Sequence, residues 1–194
     1  MEAVVEEKIA IKKIRINGWV IYLEDLGDGK GKVIAESNLG KTYSYFWGSM
    51  SSNLEEFITR INADYFAKNL IGYSEMYEMD VKSTFKNIRK YIRTEIGLAW
   101  YQEMEFQKQM REVLNDFQRE CEYDKDRLLF VNWFNTSFLN RLDTYLIEDD
   151  YISKEFESSS GYWDEVWDFI SEKPTMEFIS LKTLHKKLVK HLKK

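Results

Sequence analysis

The spacing of hydrophobic positions changes near residue 50 of the chain. Before that point, short segments alternate apolar and polar side chains and are separated by Asn-Gly and Gly-rich turns, which is typical of antiparallel strands. After it, apolar residues recur with the period of an amphipathic helix. The pattern predicts an α+β fold, in which a small N-terminal antiparallel β-meander of about three to four strands packs on a predominantly helical body of about five to seven helices.

Local chemistry adds detail to the meander. The apolar parity changes between Ile11 and Ile14, which predicts either a bulge in the first strand or two short strands. The pair Asn17-Gly18 predicts a tight hairpin turn, because both residue types tolerate positive φ. The segment GDGKG at 27–31 predicts the next turn.

The helix starts are predicted from residues whose side chains can cap a helix N-terminus. Ser52 and Asn53 each have capping-box spacing to a glutamate and predict a helix start there, and Asp80 and Asp126 each precede a further apolar repeat with helical spacing. Ser180 is predicted to cap the last helix. The segment RLLFVNWF at 127–134 is apolar on several sides, so its periodicity leaves helix and strand open.

The chain length favours a single domain. A chain of 194 residues with one proline fits one domain over 1–194 and is long enough to bury a core. The change in spacing predicts a meander subdomain at 1–50 and a helical body at 51–194.

Composition narrows the function classes. The net charge is −5, and such a protein is poorly suited to coat nucleic acid non-specifically, because phosphate binding needs a positive surface. Aromatic residues make up 15% of the chain, an excess that favours a binding surface as well as a large core. The single cysteine, Cys121, excludes an internal disulfide and a cysteine-based zinc site, and it fits a small buried apolar group.

The N-terminal sequence indicates the compartment. It is acidic and lacks the apolar core of a signal peptide, and no apolar run is long enough to span a bilayer. The sequence therefore predicts a cytoplasmic protein with no membrane partner. No oligomeric state follows from it.

Three patterns resemble catalytic or ligand-binding motifs without the context that the chemistry needs. The segment AESNLGKT at 35–42 matches a relaxed phosphate-binding P-loop, yet the residues after it alternate as a strand where the motif requires a helix. His185 and His191 do not share a helix face as metal ligands would, so both are expected at the surface. The carboxylates at 148–150 resemble those of a magnesium-dependent nuclease but lack a downstream Glu-x-Lys pattern.

None of these three patterns has the sequence context that its chemistry requires. The sequence therefore predicts no catalytic residue, no cofactor and no metal ligand, and hence a protein that is not an enzyme. A P-loop NTPase and a metal-dependent nuclease remain as alternatives.

Two charged surfaces are the candidate binding sites. A basic stripe on the helix after Asp80, together with lysines of the last helix, is suited to RNA, DNA or an acidic protein face. An acidic segment with interleaved aromatic residues is suited to a basic groove. Each pattern also has an interpretation without a partner: the basic stripe as a solvated helix face, and the aromatic residues of the acidic segment as core positions. The candidate basic face consists of Lys82, Lys86, Arg89, Arg93, Lys182, Lys186, Lys187 and Lys190. The candidate acidic and aromatic face consists of Glu148, Asp149, Asp150, Tyr151, Glu155, Phe156, Glu157, Tyr162, Asp164 and Glu165.

One stretch of the chain carries a family resemblance. The segment YSYFWGSM at 43–50, followed by NLEEF at 53–57 and DYFA at 64–67, resembles a pattern found in proteins of phages and mobile elements. The resemblance implies a mobile-element origin and an intracellular accessory role, and it brings no catalytic residues.

This resemblance sets the functional expectation. Small acidic accessory proteins of such elements often bind and inhibit host defence machinery, including CRISPR nucleases. The resemblance therefore favours a non-enzymatic protein that binds a host protein or ribonucleoprotein. Direct binding of RNA or DNA by the basic helix faces is the alternative.

Overall fold

The computed structural model describes residues 11–94, 104–123, 125–138 and 166–194. The chain divides into two compact units, Met1–Tyr77 with Pro174–Lys194 (unit 1) and Glu78–Lys173 (unit 2). The strands are β1 (Ile11–Ile16), β2 (Trp19–Gly27), β3 (Lys30–Ser37), β4 (Thr42–Trp47), β5 (Tyr77–Met79) and β6 (Glu172–Pro174). The α-helices of the described residues are α1 (Leu54–Arg60), α2 (Ala63–Ile71), α3 (Val81–Thr94), α4 (Met104–Tyr123), α5 (Arg127–Trp133) and α6 (Met176–Leu192). These elements confirm the predicted α+β fold.

The sheet of unit 1 is the predicted meander. Strands β1 to β4 are antiparallel neighbours in chain order. The turn between β1 and β2 is at Asn17-Gly18, with φ of 47° and 81°, the positive angles that a tight two-residue hairpin requires. Ile21, Val33 and Ala35 alternate onto the inner face of the sheet and are fully buried there.

The predicted irregularity in the first strand is wrong. Strand β1 pairs with β2 in one continuous register. The parity changes because Ile11 lies on the outer face of the sheet, where it is 57% exposed, whereas Ile14 is buried on the inner face. The register shift lies instead in β2, between Asp25 and Gly27.

Three helices cover the inner face of this sheet. Leu54 and Ile58 of α1, Phe66 of α2 and Leu181 of α6 form one buried cluster with the inward sheet residues. Burial of this kind contributes roughly 1.5–3 kcal/mol for each large apolar side chain. The sheet therefore shares its core with helices from both ends of the chain, and the predicted division of a single domain at residue 50 stays a prediction.

The helix caps are partly as predicted. The side chain of Asn53 accepts a hydrogen bond from a backbone N–H of the first turn of α1 at 2.9 Å, as expected. The predicted cap at Ser180 is wrong, because α6 begins one turn earlier. Its N-cap is Thr175, whose hydroxyl oxygen accepts a hydrogen bond from the N–H of Phe178. The O–H of the same side chain donates to the carbonyl of Glu75 at 2.9 Å. A tertiary contact thus favours the earlier start.

Unit 2 has its own core. Phe85 of α3, Phe117 of α4 and Phe130 of α5 meet there, with ring centroids 5.1 Å apart for the first pair and 5.4 Å for the second and third. Cys121 is buried in the same cluster, as predicted for a small apolar group. Strands β5 and β6 pair with each other.

The segment at 127–134 is helical. Asp126 is its predicted N-cap, and its carboxylate accepts from the N–H of Leu128 at 2.7 Å. Helix α5 follows and continues as a π-helical turn over Phe134–Phe138. The tertiary structure decides this assignment because Phe130 and Phe134, one helical turn apart, both reach the aromatic core of unit 2.

Candidate functional site

A basic groove lies in unit 1 between the β1–β2 hairpin and the C-terminal end of α6. Its volume is about 380 Å³. Arg15 and Asn17 line it from the hairpin, and Ile16 lies between them. The residues that line it from the helix side are Lys187, Lys190, His191 and Lys194.

Local folding explains why these side chains converge. Lys187, Lys190, His191 and Lys194 recur at intervals of three or four residues, so they share one face near the end of α6. The opposite face of the helix carries Leu181, Leu184 and Leu188, which are buried against the sheet. The lysines are therefore directed away from the core and towards the edge at which the hairpin turns.

Among the described residues, the cations of the groove are not ion-paired, whereas some other cations of unit 1 are. Lys12 pairs with Glu55 at 2.8 Å, and Lys182 pairs with Asp64. Arg15, Lys187, Lys190 and Lys194 have no ion-pair or side-chain hydrogen-bond partner within the described part of the chain. Their charges are thus unneutralised by the residues that the structure describes.

Two members of the predicted basic face are held within the fold. Arg89 donates to the side-chain oxygens of Asn115 at 3.2 Å and Gln118 at 2.9 Å, and its guanidinium lies over the ring of Phe85. Lys182, besides its ion pair, lies over the ring of Phe178 at 5.2 Å. Both side chains stabilise packing between elements of their own unit.

The other predicted basic residues divide between the units. Lys82 and Lys86 are exposed on α3 in unit 2, and the side chain of Arg93 lies outside the described side chains. Lys186, Lys187 and Lys190 are exposed on α6 in unit 1. The candidate acidic and aromatic face, which runs from Glu148 to Glu165, lies outside the described residues. Both faces stay predictions.

The P-loop-like segment is a hairpin turn. Thr42 begins strand β4, where a nucleotide-binding loop would require a helix. Lys41 pairs with Glu177, and the hydrogen bond and opposite charge of that carboxylate raise the pKa of the lysine. Its ammonium group is therefore engaged within unit 1.

The glycine-rich segment at 27–31 is equally structural. The carbonyl of Gly29 accepts from the N–H of Met50 at 2.6 Å. The carboxylate of Asp25 accepts from the N–H groups of Gly27 at 3.1 Å and Leu54 at 3.0 Å. These bonds fix the turn against the start of α1, so the Gly27 N–H and the Gly29 carbonyl already serve the fold. No group of three or more metal-ligating side chains occurs among the residues that the structure describes.

His185 is buried, and its predicted surface position is wrong. It is 4% exposed, its Nε2–H donates to the carbonyl of Ile58 at 3.0 Å, and its ring lies 4.8 Å from that of Phe66. Burial lowers the pKa of His185, and the hydrogen bond to Ile58 opposes this in part. The sequence position is ambiguous because His185 follows Leu184 on α6, at the edge of the apolar stripe.

The lowered pKa predicts a pH-dependent stability. The unfolded chain binds a proton at His185 more readily than the folded chain. The contribution of neutral His185 to the free energy of unfolding is therefore fully present above about pH 6.5. It falls as the pH drops below that value, by at most about 1.4 kcal/mol per pH unit, until the folded-state pKa is reached. Urea unfolding between about pH 7 and 5 measures this slope.

Two variants isolate the contribution of His185. His185→Gln keeps a donor for the carbonyl of Ile58 and removes the titrating ring, so we expect a smaller loss of stability across this pH range. His191→Gln makes the same change at an exposed position of α6 and serves as the control. Equal pH profiles for the wild type and His185→Gln would contradict the assignment.

Sequence reasoning missed Arg15, Asn17 and His191 as members of one site. Arg15 belongs to a basic–apolar alternation that indicated only a strand, and Asn17 indicated only a turn. A signal was nevertheless present, because a two-residue turn places the end of β1 at the sheet edge. What the sequence lacked was the position of α6 against that edge.

Comparisons with known proteins add a family. None of the described helices combines the length and apolar character needed to cross a membrane. No curated protein and no solved structure was found to match the chain. A model of a phage family, Phage_phiTE_072, matches residues 4–194, which is nearly the whole chain. The chain therefore belongs to this phage protein family.

Proposed function

We propose that this phage protein is a non-enzymatic accessory protein that binds a host protein or ribonucleoprotein and inhibits host defence, for example a CRISPR nuclease. The observation that carries the proposal is the convergence of Arg15, Lys187, Lys190 and Lys194 on one groove of a protein whose net charge is −5. Four mutually repelling cations cost stability unless an anionic partner offsets the repulsion.

The geometry fits binding better than chemistry. The groove presents donors and positive charge, and its one imidazole, His191, has no carboxylate, hydroxyl or thiol among the other lining residues with which to form a catalytic pair. Positive charge at an open groove steers an anionic partner and fixes its orientation. The anionic surface of a host protein or ribonucleoprotein is such a partner.

Affinity capture from a host lysate tests this function. The tagged full chain is expected to recover a specific host protein or ribonucleoprotein, identified by mass spectrometry and RNA analysis. Charge reversal in the groove, Lys187→Glu with Lys190→Glu, is expected to lower that recovery by about tenfold or more, because both like charges then repel the partner.

The matched control is Lys30→Glu with Lys90→Glu, which makes the same charge change at exposed positions outside the groove and outside the candidate basic face. We expect it to leave recovery unchanged. If the two double variants lose the partner equally, net charge and not the groove governs capture. If the wild type recovers nothing specific, the proposed function is wrong.

Inhibition of defence needs a cellular measurement. Expression of the protein in a host with an active CRISPR nuclease is expected to restore plating of a targeted phage. A host without the nuclease gives the reference plating efficiency. Equal restriction with and without the protein would refute the proposed inhibition of that nuclease and leave the capture result standing by itself.

A further inference from the structure

We propose that the basic groove of unit 1 binds a single strand of nucleic acid, with phosphates on the cations and bases over the two clefts that adjoin it. This inference rests on the proposed function and names the chemistry of the partner at one surface: the RNA or DNA strand of a ribonucleoprotein or of its target.

The charge of the groove matches a phosphate backbone. Its polar lining atoms belong to Arg15, Lys187, Lys190, Lys194, His191 and Asn17, and no carboxylate is among the lining residues. Lysine, arginine and asparagine side chains supply the donors that phosphate oxygens accept. A polyanion thus meets positive charge along the groove without an opposing acid.

The length of the cationic row fits a few nucleotides. Lys187 and Lys190 lie about 4.5 Å apart along α6, at about 1.5 Å per residue, and Lys194 follows the end of that helix. One strand of nucleic acid in stacked geometry carries a phosphate about every 3.4 Å. The two helical lysines therefore face neighbouring phosphates, and Lys194 extends the cationic row beyond the helix end.

The size of the groove favours one strand over a duplex. A volume of about 380 Å³ is that of a small-ligand cleft. A duplex presents grooves about 6 and 12 Å wide and is read by an element that enters them. A cleft of this volume therefore suits a single strand better than a duplex.

Two further clefts extend the groove on either side of the hairpin turn. One, of about 140 Å³, shares Asn17 and Lys187 with the groove and is lined by Trp19, Ile179 and Thr183. Trp19 is only half-buried, and Ile179 is exposed. Aromatic and apolar surface beside a cationic track is what stacked bases use in proteins that bind single strands.

The second cleft carries polar groups. It has a volume of about 330 Å³, shares Arg15 and Asn17 with the groove, and is lined by Ser37, Asn38 and the carboxylate residue Glu36, so it suits base edges and not phosphates. Side-chain amides and hydroxyls pair with the exposed edges of unstacked bases. An acidic peptide would use the cations but would leave these amides and the Trp19 surface without a matching group. The observations therefore favour nucleic acid.

Fluorescence anisotropy with labelled single-stranded RNA and DNA of about ten nucleotides tests the inference. The full wild-type chain is expected to bind, with a slope of log K against log salt of about −2.8, from four cations at about 0.7 each. Lys187→Gln with Lys190→Gln is expected to reduce the slope to about −1.4 and the affinity about 25-fold near 0.1 M salt.

The controls separate the effect of the groove on binding from the effect of net charge. Lys30→Gln with Lys90→Gln removes the same charge from exposed positions outside the groove and outside the candidate basic face, and is expected to leave slope and affinity unchanged. Circular dichroism confirms the fold of each variant. The inference is overturned by no binding at low salt, by equal effects of the two double variants, by tighter binding of a duplex, or by equal binding of a poly-glutamate peptide. RNA and DNA in separate measurements show which sugar the groove prefers.

This test is independent of the test of the proposed function. If a host partner is captured and the oligonucleotides do not bind, the proposed function holds and the nucleic-acid site is wrong. If oligonucleotides bind with the expected slope and no host partner is captured, the site holds and the proposed function is wrong.

Discussion

Replacing Phe66 with alanine is expected to lower the free energy of unfolding by about 3–5 kcal/mol. Phe66 is fully buried in α2, and its ring lies between that of Trp47 on β4, at 6.4 Å, and that of His185 on α6, at 4.8 Å. The change removes a large apolar group from the point at which the sheet and two helices meet. The change leaves a cavity, and the sheet, α2 and α6 cannot move close enough to one another to fill it. Urea unfolding followed by far-ultraviolet circular dichroism measures the loss.

The control for this prediction is Phe46→Ala. Phe46 lies on the outer face of β4 and is 49% exposed, so the same chemical change removes little buried area. We expect a loss below about 1 kcal/mol. Similar losses for the two variants would mean that the Phe66 contacts do not hold the sheet to α2 and α6.

The second large effect is expected at Gly29, in the turn between β2 and β3. Its φ is +68°, and a Cβ added there would lie 2.1 Å from the carbonyl oxygen of Met50. Gly29→Ala must therefore displace the hydrogen bond between the Gly29 carbonyl and the N–H of Met50. The left-handed backbone costs roughly 1–2 kcal/mol and the overlap roughly as much again, so we expect a loss of about 3 kcal/mol in urea unfolding.

Gly27→Ala separates the two causes. Gly27 has a φ of +74°, but a Cβ there would have no atom within 4 Å. The substitution therefore lowers the free energy of unfolding only through the left-handed backbone, by about 1 kcal/mol. Were Gly29→Ala no more costly than Gly27→Ala, the close approach of the turn to Met50 would not be a stabilising feature of the fold.

These two sites bear on the proposed binding surface. The lysines of the groove lie on the solvent side of α6, and the opposite side of that helix is held to the core by residues that include Phe66. A partly loosened core would let α6 move relative to the hairpin that supplies Arg15. We therefore expect Phe66→Ala to weaken binding at the groove as well, although Phe66 contacts no ligand.

Much of the fold follows from local sequence. Asn17-Gly18 indicated its hairpin correctly, because few dipeptides reach two positive φ angles at low cost. Asn53 and Asp126 indicated two helix starts, because a side-chain acceptor satisfies N–H groups that the helix itself leaves unpaired. Ser180 failed as a cap because Thr175 makes a tertiary bond to Glu75 that no local pattern contains.

The candidate site was less predictable. The basic residues of α3 and α6 were visible as charged helix faces. Arg89 on α3 and Lys182 on α6 belong to these faces by spacing alone, because contacts with Asn115, Gln118 and Asp64 engage them. Charge patterning reports the face of a helix and not its neighbours. Which cations remain available for a partner is a question of tertiary contacts.

The sequence by itself determined the α+β class, the meander with its turns, and most of the helix starts, because these depend on neighbours within a few residues. The tertiary structure alone decided that His185 is buried and that Arg15 and Lys187 line the same groove. These residues are separated by most of the chain, and only the packing of α6 on the sheet brings them together. Local periodicity carries no information about such a long-range contact, and the proposed site depends on it.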